Sequence, residues 1–458
     1  MDVWNSIKDD TTTIFQFESE NASGILKRLF SEKTIERIKA KNPNFSYIKL
    51  LSFANLVLRP SGASFRDLAC EGIYRDNGLQ ELNDLLLHTL GYLASQEQIM
   101  LFLQKFAGYS QGESDTVRRG IAKKYGTEEL LPEIKARTFK TLTEKFKVEE
   151  KKANEIIEKI IQVILDASDY GFSDNHSDPY SVIGYVDGWL RHYYPLEYLT
   201  SCLNVWTTKK EKTANVMSYI YKQGIKVVDP AFRYSRAEYF YDKENKLIYK
   251  GIESISYLNK QVAEELYEMR DMQFDDFVDL LAYVFENTSA DTRQIKILIG
   301  LDYFKEFGGN KYLLDVYKLF TDKYKKTYVQ KTKVKRITEL KESIKEIPNA
   351  TLSISEQMVF EYTYMKYVKT VATNIQDDDI YFVLDKFDKW KHPMLTLYRC
   401  NSGEVITKKL RDEAHKLNPF TKGVFIKVNA TKDYQKYSKN GKVEGVFENC
   451  ITEYTLLK

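Results

Sequence analysis

Apolar residues recur at three- to four-residue spacing from Thr34 to about Tyr221, as in "LQELNDLLLHTLGYL", "QIMLFLQKFAGY" and "VEEKKANEIIEKIIQVILDASDYGF". That period puts one apolar stripe on each helix and predicts a large helical domain. Pro132 is expected at a helix start, where its missing N–H costs nothing, and Gly171 as the C-terminal cap of the long helix. After Gly224 the pattern shortens to strand-like pieces, "IKVVDPAF" and "AEYFYDKENKLIYKGI", the second turning at an Asn-Lys tip, and helices resume at "NKQVAEELYEM". "SADTRQIKILIGLDYFKEFGGNKYLLDVYKLF" predicts two short helices around a turn at Gly308, Gly309 and Asn310. From Asp379 onward apolar and polar residues alternate in "IYFVLDKFDKW", "MLTLYRCNSGEVITKKL", "GVFIKVNAT" and "VFENCITEYTLLK". Several short strands of this kind fit a small barrel such as an OB-fold, a frequent carrier of single-stranded nucleic acid. The fold class expected is mainly α with a β tail. No internal repeat or low-complexity segment interrupts it.

At 458 residues the chain should hold about three domains at ~150 residues each. Its 68 basic and 65 acidic residues leave a net charge of +3, so any nucleic-acid surface must come from local clustering. Cys70, Cys202, Cys400 and Cys450 are far apart and form no C-x-x-C pair, which argues against a zinc site or a disulfide framework. No apolar run approaches the ~20 residues of a membrane span, and a soluble, cytoplasmic protein without a membrane partner is expected.

Two clusters break the even charge balance. "VRRGIAKK" places Arg118, Arg119, Lys123 and Lys124 in eight positions without an acid, at what reads as a helix start. Guanidinium forks match phosphate oxygens and lysines add point charge, so a triphosphate or a DNA backbone is a sensible target; a salt-bridged surface helix is the plain alternative. "KYKKTYVQKTKVKR" carries Lys323, Lys325, Lys326, Lys331, Lys333, Lys335 and Arg336 around Tyr324 and Tyr328, again without an acid. Such a run could follow a nucleic-acid backbone or be a solvated linker. The Gly308–Gly309 turn lets a backbone approach a phosphate closely, with the helix start behind it offering N–H donors; a plain helical hairpin is equally open. His176 lies in a loop rich in Gly, Ser and Asp before an aromatic helix, where a histidine could bond a phosphate or be structural.

In order, "TTTIFQFESENASGILKRL", "ANLVLRP", "SQEQIM", "AGYSQGESDTVRRGIAKK" and "YGFSDNHSDPYSVIGYVDGWLRHYYPLEYLTS" resemble the fingers domain of the bacterial replicative C-family polymerases, the DNA polymerase III alpha subunits. "IKVVDPAFRYSRAEYFYDKENKLIYKGI" and "TRQIKILIGLDYFKEFGG" resemble that family's tandem helix-hairpin-helix region beside the sliding-clamp site, and the β-rich tail its OB domain. The resemblance implies fingers at 1–225, a duplex-binding, clamp-proximal domain at 226–340, a helical linker at 341–378 and an OB-like domain at 379–458. It implies that Arg118, Arg119, Lys123, Lys124, His176 and Tyr180 face an incoming deoxynucleoside triphosphate. It also implies that Gly308, Gly309, Asn310 and the basic run of 323–336 meet duplex DNA, with primer-template DNA as partner and a sliding clamp as a further one.

The departures are specific. The family has a lysine where this chain has Asp174, its "RPGP" reads "RPSG" at Arg59–Gly62, and "GIESISYLNK" replaces its Gly-Val-Gly hairpin, leaving the glycine turn at Gly308 as the expected duplex clamp. The family's metal-binding carboxylates belong to a palm domain preceding the motif that opens here at Phe15. No catalytic or metal residue is therefore assigned to this chain, and Mg²⁺ is expected on a palm-containing polymerase fragment acting as partner, as in a split phage or mobile-element polymerase. Asp377–Asp379 read as a solvated turn, and "DVYKLF", ending at Phe320, as a helix end rather than a clamp peptide. The expected activity is nucleotidyl transfer by the assembled enzyme, with this chain inactive alone. A non-catalytic DNA-binding or clamp-associated protein derived from a polymerase is the alternative.

Overall fold

The computed structural model describes residues 1–122, 127–168, 173–370, 377–388, 392–438 and 441–457. They form two compact units, Met1–Leu199 and Thr200–Lys458. Lys123, Lys124 and Gly171 lie outside the described residues.

The first unit is helical, with two apolar cores. One gathers Ile7, Ile14, Phe17, Leu26, Leu51, Phe53 and Val57; the other gathers Phe102, Leu103, Phe106 and Ile134 against the long helix Glu150–Ser168. On that helix Ala153, Ile156, Ile157, Ile160, Ile161 and Ile164 are all buried, the face its spacing predicts. Two expectations are corrected. The stretch 79–93 is not one helix: it breaks at Leu86 (φ −105°, ψ 11°) into Gln80–Leu85 and a 3₁₀ turn Leu87–Thr89, which ends where Leu90 and Gly91 take positive φ of 57° and 80°. Pro132 lies inside the helix Thr127–Lys140 rather than at its start.

The helix Asp174–Tyr193 organises the nucleotide-side candidates. Its inner face is a seam of small residues, Ser177, Ser181, Gly184 and Gly188, all buried. Ser177 shares a hydrogen bond with Ser52, and Asn55 Nδ2 donates to Ser181 Oγ at 3.0 Å, both partners lying on the helix Tyr47–Val57. A Cβ on Gly188 would sit 2.4 Å from Ile7 Cγ1, so only glycine lets the helix Asp2–Asp9 come this close. Arg191, 1 % exposed, completes the seam: it donates to the carbonyls of Ser6 and Asp10, both at 2.7 Å, and of Thr12.

In the second unit the helix Lys210–Lys222 leads into a small sheet ordered β1 (Lys226–Val228), β3 (Leu247–Tyr249), β2 (Phe240–Asp242); β1 pairs parallel with β3, and β2–β3 form the expected hairpin. Its main core is built by the helices Lys260–Glu268, Phe277–Asn287, Thr292–Gly300, Asn310–Lys323 and Gln330–Ile344, through Leu266, Leu281, Leu298, Phe320 and Leu340 among others. Residues 331–336, open between a linker and a backbone-tracking run in the sequence, are helical.

The tail is a closed barrel of β4 (Ile380–Phe387), β5 (Met394–Arg399), β6 (Val405–Leu410), β7 (Phe425–Ser438) and β8 (Gly441–Leu457), ordered β4-β5-β6-β8-β7 with β7 returning to β4. All pairings are antiparallel except β6–β8, and the helix Asp412–Leu417 joins β6 to β7. This is an OB-like fold. Tyr381, Val383, Leu395, Leu397, Ile426 and Ile451 fill the interior, while Phe382 and Leu384 point the other way onto Met358 of the helix Ile354–Met365, so β4 is buried on both faces. All four cysteines are buried, free thiols. No helix among the described residues is long and apolar enough to cross a membrane.

Candidate nucleotide and duplex surfaces

Arg118 and Arg119 do not open a helix. The helix runs Gln111–Ala122 and begins with a Ser110–Glu113 cap: Ser110 N donates to Glu113 Oε2 at 2.8 Å, and Glu113 N to Ser110 Oγ at 3.4 Å. The arginines therefore lie towards its C-terminal end, where the helix dipole favours cations. Both reach back to Asp115. Arg118 Nη2 donates to Asp115 Oδ1 at 2.8 Å, and Arg119 Nε donates to Oδ2 at 2.9 Å. The two guanidinium hydrogen bonds hold the Asp115 carboxyl down at about 2. No acid stands among residues 117–124, but one stands a single turn earlier.

A third partner of Arg118 links this helix to the His176 region. Arg118 Nη1 donates to Gln96 Oε1 at 2.8 Å, in the first turn of the helix Gln96–Ala107. The neighbours of Gln96 bind the start of the helix Asp174–Tyr193. Glu97 accepts from Asp174 N at 2.8 Å and from the Ser173 hydroxyl, while Ser95 Oγ donates to Asp174 Oδ2 at 2.9 Å. Residues 95–97 thus hold two segments more than fifty positions apart in the sequence. Burial, with Glu97 and Asp178 nearby, raises the Asp174 carboxyl to about 6 despite the Ser95 hydrogen bond. Where the resembled family has a lysine, this chain has a half-buried, inward-tied acid.

His176 is exposed on the first turn of its helix, 6.1 Å between ring centroids from Tyr180, which meets Phe15 edge-on at 5.1 Å. Phe15 is anchored through its backbone N–H to Asp187 Oδ2 at 3.1 Å. Asp115, Gln96 and Glu97 were not singled out in the sequence. Only Asp115 had a readable signal, its i+3 and i+4 spacing to the arginines.

In the second unit the glycine turn faces inward. Gly309 N donates to Asn349 Oδ1 at 2.8 Å, and a Cβ on Gly309 would meet the Ala350 carbonyl oxygen at 2.4 Å. Asn310, 3 % exposed, donates to Gln357 Oε1 at 2.8 Å and accepts from Leu352 N at 2.8 Å; Gln357 donates onward to Glu361 Oε1 at 3.1 Å. Gly308, Gly309 and Asn310 so join the turn to the segment before the barrel, and the cradle expected of them is filled by the protein itself. The segment in its place turns at Tyr257, which takes φ 74°, and Asn259 caps the helix Lys260–Glu268 by accepting from Val262 N at 3.0 Å. A left-handed tyrosine costs roughly 1–2 kcal/mol. Arg293 lies 3.2 Å over its ring, and Gln294 Nε2 donates to its carbonyl at 2.9 Å.

Of the basic run, Lys325, Lys326, Lys331 and Lys335 are exposed. Lys333 pairs with Glu286 at 2.7 Å, Arg336 with Glu339 at 2.7 Å, and Lys323 Nζ donates to Ser343 Oγ at 3.4 Å. Val316, Tyr317 and Phe320 of "DVYKLF" are core residues of the helix Asn310–Lys323. Asp377 pairs with Lys427 at 2.6 Å. Among the described residues no group of three or more His, Cys, Asp or Glu could hold a metal ion.

A helical unit with paired arginines is followed along the chain by a second, largely helical unit that ends in an OB-like barrel. Comparison with known proteins gives the particular relationship. Residues 70–146 match the bacterial DNA polymerase III alpha subunit finger domain, and residues 224–314 match a helix-hairpin-helix motif. The DNA polymerase III subunit alpha of Treponema pallidum (strain Nichols) is 30% identical over 305 residues, 65% of this chain and 24% of that protein. That of Bacillus subtilis (strain 168) is 26% identical over 306 residues, 66% and 26% of the respective chains, and that of Staphylococcus aureus (strain MRSA252) is 28% identical over 304 residues, 65% and 26%. The chain spans about a quarter of the length of these curated relatives. Over these stretches the chain is similar to DNA polymerase III alpha subunits.

Proposed function

We propose that this chain is the fingers and duplex-handling portion of a C-family replicative DNA polymerase. It would position a deoxynucleoside triphosphate and primer-template DNA for nucleotidyl transfer. The observation that carries this reading is the junction at Ser95, Gln96 and Glu97, which fixes the helix of Arg118 and Arg119 and the start of the helix of His176 and Tyr180 to one another. Two motifs that resemble one family's nucleotide-facing surface are thereby part of one construction. The guanidiniums would bind the phosphates and offset charge as it develops on them. The exposed His176 ring and the Tyr180–Phe15 pair would supply an aromatic flank.

Carboxylate-held Mg²⁺ would activate the primer hydroxyl. In this reading those carboxylates belong to a palm-bearing polypeptide, and this chain alone does not polymerise. The exposed lysines of 325–335 and the helix hairpins would meet duplex DNA, and a sliding clamp is a further partner of the assembled enzyme.

The test is primer extension with Mg²⁺ and all four nucleotides, using the chain alone and then mixed with a candidate palm fragment. Extension only by the mixture supports the reading. Extension by the chain alone overturns the assignment of the carboxylates elsewhere, and DNA binding without extension in either case overturns the enzymatic reading.

A further inference from the structure

One carboxylate serves both arginines. Asp115 Oδ1 accepts from Arg118 Nε at 3.2 Å and Nη2 at 2.8 Å; Oδ2 accepts from Arg119 Nε at 2.9 Å and from its Nη2. Two guanidinium forks closing on two oxygens of one anion is the geometry with which arginines grip phosphate. The two grips are unequal. The Arg118 side chain is 16% exposed and each of its three nitrogens has a partner, the third being Gln96 Oε1 at 2.8 Å. The Arg119 side chain is 63% exposed, and among the described residues its Nη1 makes no hydrogen bond. An exposed ion pair on a helix is weak and screened by salt, whereas one anchored by a further hydrogen bond and shielded from water persists.

We propose that Asp115 is a built-in occupant of the anion site, holding both guanidiniums in register until a triphosphate displaces it from Arg119. Arg119 is then the residue that transfers to the phosphates, and Arg118, fixed between Asp115 and Gln96, is a positioning residue. This inference rests on the reading of the arginines as triphosphate-facing and adds to it a competing anion on the same helix. A polyphosphate wins the exchange through its higher charge and its several oxygens, while a monoanion does not. Asp115 thus tunes affinity against singly charged solutes. Its carboxyl, at about 2, stays ionised at any working pH, so only a competing anion and not acid opens the site.

The experiment is calorimetric titration of the whole chain with inorganic tripolyphosphate at constant ionic strength. Asp115→Asn, which keeps size and removes charge, is expected to bind about tenfold more tightly than the unaltered chain, equivalent to about 1.4 kcal/mol. Arg119→Ala should abolish binding both alone and together with Asp115→Asn. Chloride should compete less well than sulfate in the unaltered chain, and the gap should narrow in Asp115→Asn. If Asp115→Asn does not fold, as judged by its circular dichroism melt, Asp115→Ser tests the same loss of charge. Arginine-dependent binding that is unchanged or weaker without the carboxylate overturns the proposal alone. Binding that survives Arg118→Ala with Arg119→Ala, or no binding by any form, overturns instead the reading of the arginines on which it rests.

Discussion

The two basic clusters look alike as strings and differ in where their acids come from. At Arg118 and Arg119 a single acid one turn back on the same helix takes both guanidiniums. In the run ending at Arg336 the partners are spread out: Glu286 comes from the helix Phe277–Asn287 to Lys333, Glu339 comes from the next turn to Arg336, and Lys325, Lys326 and Lys331 face solvent. The first arrangement is a concentrated pair of forks with one exchangeable counter-charge, suited to one compact polyanion. The second is a spaced row of point charges, suited to a repeating backbone.

The sharpest way to break this contrast is to remove both forks. Arg118→Ala with Arg119→Ala should lower nucleotide incorporation by the assembled enzyme by about a hundredfold or more, as loss of preorganised charge at a reacting centre does. Duplex affinity should stay within about twofold, as measured by anisotropy; an equal fall in both would erase the distinction. Next in size, Lys325→Ala, Lys326→Ala and Lys331→Ala together should flatten the log–log salt dependence of duplex binding by about two to three units, at roughly 0.9 per phosphate contact. Incorporation at saturating DNA should be unaltered.

Glu286→Gln probes the second cluster's internal pairing. Glu286 accepts from Lys333 Nζ at 2.7 Å and from the Tyr324 hydroxyl, and these hydrogen bonds hold its carboxyl below the usual carboxylate range. The change should cost about 1 kcal/mol in urea unfolding. Because the folded value is the depressed one, the stabilisation is fully present above pH 4.5 and drains as pH falls through the lower folded value, so the variant's acid limb should be flatter. Smallest of all, Lys335→Ala, whose contact with Glu339 is 3.9 Å long and exposed, should shift stability by less than about 0.5 kcal/mol.

Periodicity was enough to place the long helix and the barrel strands, because burial of one face is a local property of the string: Ala153 to Ile164 and Tyr381/Val383 lie where their spacing puts them. Partners were not legible to the same degree. Asp115 stood inside the stretch that drew attention, yet its reach to Arg118 and Arg119 follows only once the helix is known to start at Gln111. Gly309 looked like an open phosphate cradle because its occupant, Asn349, lies forty positions on. The hairpin at Tyr257 was discounted for want of glycine, although Arg293 and Gln294 hold a tyrosine in that bend. The junction at residues 95–97 is a long-range polar contact, and no apolar pattern announces one.

Arg191 has a consequence for how the chain is made. Its guanidinium fastens the carbonyls of Ser6, Asp10 and Thr12, so this segment is synthesised some 180 residues before the group that clasps it. At about 5–20 residues per second that segment waits roughly 10 to 40 s for its clasp. During vectorial synthesis the segment 6–12 is therefore made well before the side chain that ties its carbonyls together.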